Sequence, residues 1–570
     1  MQVINGIPAA PGIAIGPGFH HEPASIAPAR VHIADAEPEI ERLEAAIERS
    51  VKELEETYEA AREAVGEEAA GIFNAQIMML KDPDLLETAK QTIETERVNA
   101  ETAFYAASEY YADLLQNLSD EYLRARAADV RDISVRVIRN LRNETVNVSL
   151  FSVPSIVFAE DLAPSDTMQF GREKLLGFFT AKGGATSHTA ILSRALGIPA
   201  VVGTGMMPAS ISGERTFILD GDSGQLIVDP DESTLSRYLE IQQSQRAKFV
   251  EDRTAALIPA VTRDGKRVEV VANIGNLEDA KSALLNGAEG VGLFRTEFSY
   301  LEQSVTPDEK ALVDVYRPIF QVFGDLPVVV RTLDIGGDKE VPHLGLPGES
   351  NPFLGNRGIR LCLTRPDLFK PQLRAILRAG SQSNLYIMFP MIASIQEIRE
   401  VRKVLDECRA ELKSESVVFN QNPKIGIMIE VPSAAICADQ LAKAVDFFSI
   451  GTNDLTQYTL AADRTNAKVS HLVTAMQPAV LRLIKQVIDQ GHAAGIWVGM
   501  CGEMAAEPMA IPILLGLGLD EFSMNPMSIP QVKAIIRTWD TYQAALLAEQ
   551  ILQCETPDDV QSLIASWPPT

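Results

Sequence analysis

Several things are scarce in this 570-residue chain, and each scarcity excludes a class of protein. Five cysteines (Cys362, Cys408, Cys437, Cys501, Cys554) lie far apart with no Cys-x-x-Cys pair. That excludes a disulfide scaffold and a structural zinc site, and fits reduced thiols. Positive charge is short: 51 Lys and Arg face 77 Asp and Glu, a formal charge of −26. Nucleic acid and anionic membranes demand a basic face and are excluded as partners; a basic protein is favoured. No apolar run approaches the ~18 residues of a membrane span; Ala510–Leu519 is among the longest and contains Pro512. Met1–Ala10 lacks the basic-then-apolar plan of a secretory signal, so a soluble cytoplasmic protein is expected. Histidine numbers only seven, and one of the seven stands in an unusual setting.

That setting is Ala181-Lys-Gly-Gly-Ala-Thr-Ser-His188-Thr-Ala-Ile-Leu-Ser-Arg-Ala-Leu-Gly-Ile-Pro199. It reads as a glycine turn opening into a short helix, with Thr186 or Ser187 as N-cap and Ile191, Leu192 and Leu196 facing inward. Gly197 suits the left-handed exit and Pro199 forbids continuation. His188 then sits in the first turn, where the positive helix end disfavours imidazolium and favours a bound anion. A neutral imidazole there is a candidate nucleophile that could carry a phosphoryl group. A lone histidine near a helix start is more often a cap or a core residue, so the rest of the chain must decide.

Residues 1–20, rich in Gly, Pro, Ala and Ile, read as one or two short strands. From Ile40 the apolar positions Leu43, Ile47, Val51, Leu54, Tyr58, Ala61 and Val65 alternate steps of three and four, a long helix with a narrow seam. Helical pattern continues through Gly71–Lys81, Asp84 to about Glu94 and a long stretch Ala100–Leu141. The economical reading is an acidic helical bundle, residues 21–144, inserted into an α/β module formed by 1–20 and 145–230. Residues 231–260 read as a polar helical linker.

From 261 to 570 the chain repeats strand then helix. Eight apolar strands (268–273, 290–297, 327–334, 385–391, 425–432, 447–455, 497–503 and 521–526) point to a closed parallel (β/α)8 barrel of the TIM type, in a multidomain α/β chain. Polar residues gather where those strands end: Asn273, Arg295, Glu297, Arg331, Asp334, Glu430, Asn453, Asp454, Cys501, Glu503, Ser523 and Asn525. Chemistry is built at that end of such barrels. Arg295 and Arg331, joined by Lys339, Arg357 and Arg464 from loops, imply a small, highly anionic ligand. Glu430 and Asp454 offer two hard oxygens for Mg²⁺. Cys501 is a candidate acid or nucleophile, with Glu503 competing for the role.

Gly183-Gly184 with Thr186-Ser187-His188, Gly292-Leu-Phe-Arg-Thr-Glu297, Arg331-Thr-Leu-Asp-Ile-Gly-Gly-Asp-Lys339, Gly426-Ile-Met-Ile-Glu-Val-Pro432 and Gly451-Thr-Asn-Asp-Leu-Thr-Gln457 resemble the PEP-utilising enzymes over nearly the whole chain. Their order and the inserted bundle are similar to the enzyme I group of the sugar phosphotransferase system. The resemblance implies phosphoenolpyruvate and Mg²⁺ in the barrel, phosphorylation of His188, and transfer onward to the carrier protein HPr docked on the bundle. It further implies substrate contacts from Arg295, Arg331, Asn453, Asp454 and Arg464, with help from Lys339 and Arg357. Glu430 and Asp454 would hold the metal, Cys501 would protonate the enolate, and Thr167 would hydrogen-bond His188. A homodimer through the barrel is also implied. The chain departs from the pattern at Ala181 and Ala185, where relatives commonly carry an acid and an arginine, and at Asn356, which replaces an aromatic. Related dikinases and synthases need an ATP-binding domain, and no Gly-x-x-x-x-Gly-Lys-Ser/Thr loop is present. A non-catalytic scaffold is disfavoured by the intact set of Arg, Glu, Asp, Cys and His.

Overall fold

The computed structural model describes every residue except 22–27, 66, 118–120, 145–152, 163, 171–173, 185–186, 208–214, 302–304, 337–341, 347–348, 465, 467–468, 470–471 and 568–570. Two compact units divide the chain, Met1–Arg246 and Ala247–Thr570.

The first unit holds two small sheets. One is antiparallel, in the order Gln2–Asn5, Gln225–Val228, Phe217–Asp220, Ile13–Gly16. The other runs Ile7–Ala10, Ala200–Val202, Leu175–Thr180, Ser155–Ala159, Gly18–His20, parallel except at its Ile7–Ala10 edge. The N-terminal stretch therefore forms four strands, not one or two. Gly and Pro cut it into pieces too short to read as strands, and distant partners supply the pairing.

Between Gly18–His20 and Ser155–Ala159 come the helices Glu37–Val65, Glu67–Leu80, Pro83–Glu96, Ala100–Gln116 and Glu121–Leu141. The stretch expected as one helix from 100 to 141 is two. The seam of the first helix is buried as its spacing requires: Leu43, Ile47, Val51, Leu54 and Ala61 pack with Phe73, Ile93 and Phe104. A further helix, Glu232–Ala255, is polar and largely exposed.

In the second unit eight parallel strands close into a barrel. They are Arg267–Ile274, Val291–Arg295, Val328–Arg331, Leu385–Phe389, Lys424–Ile429, Phe447–Ile450, Trp497–Met500 and Glu521–Met524, and the first pairs with the eighth. Alternation along each strand sorts the side chains. Val328, Val330, Ile387, Ile425 and Ile427 join the core under the surrounding helices. Leu293, Val329, Met388, Met428, Phe447 and Cys501 fill the lumen. Two residues on from Leu293, Val329 and Met428, the same face carries Arg295, Arg331 and Glu430. The apolar plug thus fixes which polar groups look into the barrel mouth.

Candidate active site

Arg295 and Arg331 are register partners on the second and third strands. Arg331 is buried, and its Nη2 donates to Glu297 while Nη1 lies 3.3 Å from Asp334 Oδ2. Arg357 donates to both oxygens of Asp334, Nε to Oδ1 and Nη2 to Oδ2 at 3.2 Å each. The same guanidinium donates to both oxygens of Asp454, at 3.1 and 3.0 Å, and to the Tyr458 hydroxyl at 3.2 Å. Glu430 Oε1 accepts from the Met391 amide at 2.6 Å. That amide is aimed by a left-handed turn, with Met391 at φ 58°.

Two guanidiniums thus face four carboxylates in one buried network. Burial alone would pull the Arg331 and Arg357 guanidiniums down, but the surrounding carboxylates hold both well above their ordinary range. Burial, together with Asp454 and Asp334, pushes the Glu430 carboxyl up to about 8 against the pull of both arginines. Arg331 and Arg357, two of the five cations expected at the mouth, are therefore paired with carboxylates rather than free. Within this network the four carboxylates outnumber the two guanidiniums by two. Such a site favours an added cation, and Glu430 with Asp454 suits Mg²⁺, which takes one or two carboxylates plus substrate oxygens. Among the described residues no three Asp, Glu, His or Cys side chains form a complete protein cage. A donor also remains for an anion: the buried Nε of Arg331 has no hydrogen-bond partner among the described residues.

The other expected residues fall around this network or apart from it. Cys501 is buried beyond the seventh strand, and burial pushes its thiol up to about 11 despite Ser449 and Arg331. Glu503 is exposed and exchanges hydrogen bonds with Asn453, at 2.9 and 3.1 Å. Arg464 is half-buried, and its amide donates to Gln457 Oε1 at 3.0 Å. Lys339 lies outside the described residues, as do Ala185 and Thr186. Asn356 uses its side chain on Thr364 at 3.2 Å and its amide on Glu349, beside Arg357. Glu297, Asp334, Tyr458 and Met391 complete the network without having been singled out as site residues. The first two were visible at strand ends; Tyr458 and the Met391 amide carry no sequence signal.

In the first unit His188 is the first residue of the helix His188–Leu196. Ser187 is the N-cap, its hydroxyl accepting from the Ala190 amide at 3.4 Å, and Gly197 makes the left-handed exit at φ 67°. The inward face is Thr189, Leu192, Ser193 and Leu196, all buried; Ile191, expected inside, is exposed. It lies off the i, i+3, i+4, i+7 stripe that starts at Thr189. The loop before the helix is pinned by backbone bonds, Gly205 to the Ala181 carbonyl at 2.9 Å and Gly203 to the Lys182 carbonyl at 3.2 Å. Glu160 pairs with Lys182 at 2.8 Å, which places a carboxylate beside a loop where Ala181 has none. Thr167 is buried on the helix Pro164–Gln169. Its expected bond to His188 involves an imidazole outside the described side chains.

Fold and site define a two-unit α/β protein in which one unit carries a histidine at a helix start and the other a barrel mouth built of arginines and carboxylates. The sequence matches three family models: the PEP-binding domain of PEP-utilising enzymes over residues 250–541, their N-terminal domain over 5–126 and their mobile domain over 151–224. It is 47% identical over 570 residues to the phosphoenolpyruvate-protein phosphotransferase of Geobacillus stearothermophilus, covering 99% of this chain and 98% of that one. Similarity to the Bacillus subtilis (strain 168) phosphoenolpyruvate-protein phosphotransferase is 46% over 565 residues and 99% of both chains. A solution structure of an Enzyme I protein is 39% identical, covering 43% of this chain and 99% of that one, with a TM-score of 0.36. The chain belongs to the PEP-utilising enzymes, in the branch of the phosphoenolpyruvate-protein phosphotransferases.

Proposed function

We propose that this enzyme transfers the phosphoryl group of phosphoenolpyruvate to His188, releases pyruvate, and then passes the group to a histidine of the phosphocarrier protein HPr, the first step of sugar phosphotransfer in the cytoplasm. The observation that carries this reading is the buried Nε of Arg331, which has no hydrogen-bond partner among the described residues and stands on a residue that ends a barrel strand in a strongly acidic chain. Full-length similarity to phosphoenolpyruvate-protein phosphotransferases supports the same substrate. In this reading residues 1–20 and 145–230 form the phosphohistidine module and 21–144 the HPr-docking bundle. Residues 231–260 are the linker, and 261–570 form the substrate barrel through which the chain dimerises.

Arg295, Arg331, Asn453 and Arg464 bind and orient phosphoenolpyruvate, with Lys339 and Arg357 assisting. Glu430 and Asp454 hold Mg²⁺, which when bound neutralises charge on the phosphoryl oxygens. The neutral imidazole of His188 attacks phosphorus through Nε2 as the bond to the enol oxygen breaks. The electron pair left on that oxygen becomes the carbonyl of pyruvate as carbon 3 takes a proton. Cys501, kept in its thiol form by burial, delivers that proton and is recharged from solvent. The cationic groups are placed before reaction, so charge moving onto the enolate meets fixed partners rather than reorganising water.

Incubation of the full chain with Mg²⁺ and radiolabelled phosphoenolpyruvate, with and without HPr, tests this. The expected result is acid-labile, base-stable label on the chain that drains to HPr. His188→Ala should abolish labelling while leaving phosphoenolpyruvate binding; label retained at another residue would refute the assignment.

A further inference from the structure

The outer wall of the barrel carries a groove of about 360 Å³, between the helix Ile395–Ser414 and the turn Ala442–Ala444. Its residues are distinct from those of the mouth. On the helix, positions 395, 398, 399 and 402 follow the i, i+3, i+4, i+7 spacing of one face. Ile395 and Ile398 therefore share that face with Arg399 and Arg402, and Gln440 and Lys443 line the groove from the following segment.

The cations differ in state. Arg402 is committed, donating from Nε (3.2 Å) and from Nη2 to the Ala444 carbonyl and so tying the two walls together. Arg399 and Lys443 are not: among the described residues neither side chain has an ion pair or a hydrogen bond. No carboxylate lines the groove, although the chain carries 26 excess negative charges. Arg399 and Arg402, three residues apart, also repel each other on the helix surface. An acidic protein that gathers unpaired cations over an apolar floor has built a place where an anion offsets that repulsion.

We propose that this groove binds a small organic anion. Its phosphate or carboxylate is held between Arg399 and Lys443, its apolar body covers Ile395 and Ile398, and Gln440 supplies a neutral polar contact. The volume lies within the range of small-molecule sites. The isoleucines argue against a bare inorganic anion, and the net charge argues against nucleic acid.

Calorimetry on the full chain with inorganic phosphate, AMP and hexanoate tests the proposal at low salt. Expected is saturable binding of AMP or hexanoate at least tenfold tighter than phosphate, weakened at least tenfold in the double variant Arg399→Glu, Lys443→Glu. Preference for AMP identifies a phosphorylated ligand and preference for hexanoate a carboxylate. Both substitutions are at exposed positions, so folding and phosphoenolpyruvate-dependent labelling should be unchanged. If the charge reversal prevents folding, Arg399→Gln with Lys443→Gln is read instead, with a loss of about threefold or more. Equal affinity for all three probes, or affinity unaltered in the variants, overturns the proposal; so does binding of polyglutamate but of none of the small anions.

Discussion

At the scale of single residues, neighbours rather than residue type decide what each group can do. Arg331 and Arg357 are both strand-end or loop arginines, yet Arg357 spends its donors on Asp334, Asp454 and Tyr458 whereas Arg331 keeps one buried N–H in reserve. Cys501→Ser substitutes an alcohol, a far weaker acid, at a buried position. Pyruvate formation is expected to fall at least a hundredfold with little change in phosphoenolpyruvate binding, read by single-turnover quench. Unchanged turnover would transfer the proton-donor role to Glu503 or water. A second buried carboxyl, Glu521, lies at the other end of the barrel from the mouth, in register with Glu269. Burial, Glu269 and Asp520 push it up to about 8. A carboxyl raised in the folded state above its unfolded value near 4.3 stabilises the fold fully below that pH. The contribution is lost as pH climbs toward 8. Glu521→Gln should therefore shrink the fall in Tm between pH 5 and pH 8.5 by a few degrees. A fall as steep as in the parent chain would assign the effect to other groups, such as Glu430.

At the scale of elements, the helix His188–Leu196 and its approach loop are the sensitive part of the first unit. Gly203 sits at φ 64°, and a Cβ there would stand 2.6 Å from the Gly183 carbonyl oxygen. Only glycine lets the two strands of backbone come that close. Gly203→Ala is expected to cost about 1–3 kcal/mol and to slow self-phosphorylation at least tenfold by displacing the loop before His188. Phosphoenolpyruvate binding should be preserved. Loss of binding and labelling together would mean that the barrel had been disturbed as well. The barrel mouth uses the same device: Gly358, at φ 58°, would carry a Cβ 2.8 Å from the Met391 side chain, whose own amide serves Glu430.

At the scale of the whole molecule, a buried cation anchors the start of the barrel unit. Lys533, only 1% exposed, donates to the carbonyls of Ala256, Ile258 and Gly287 and pairs with Glu289 at 2.8 Å. Arg537 donates to the Ala255 and Ile258 carbonyls. Arg537 thus serves the last carbonyl of the helix Glu232–Ala255, and Lys533 serves carbonyls of the turn that follows it. Lys533→Met should lower unfolding free energy by about 1–3 kcal/mol, because the buried Ala256 and Gly287 carbonyls lose their side-chain donor while Glu289 keeps Arg267 and the Ile258 carbonyl keeps Arg537. Hydrogen exchange over residues 255–260 should accelerate; unchanged exchange would mean that Arg537 suffices. None of this was legible beforehand, since nothing in the spacing of Lys533 pairs it with residues some 250 positions earlier. What the sequence by itself determined was the set of periodic elements and their punctuation. Eight apolar strands with polar ends, the seam from Leu43 to Ala61 and the glycine exit at Gly197 all follow from local chemistry and period. Only the tertiary structure decided the partners. It left Ile191 outside the core, joined Asp334 to both Arg331 and Arg357, and aimed the Met391 amide at Glu430. The physical reason is that strand and helix periods act over a few residues. The charge balance of a barrel mouth, by contrast, is set by side chains that converge from separate strands once the sheet has closed.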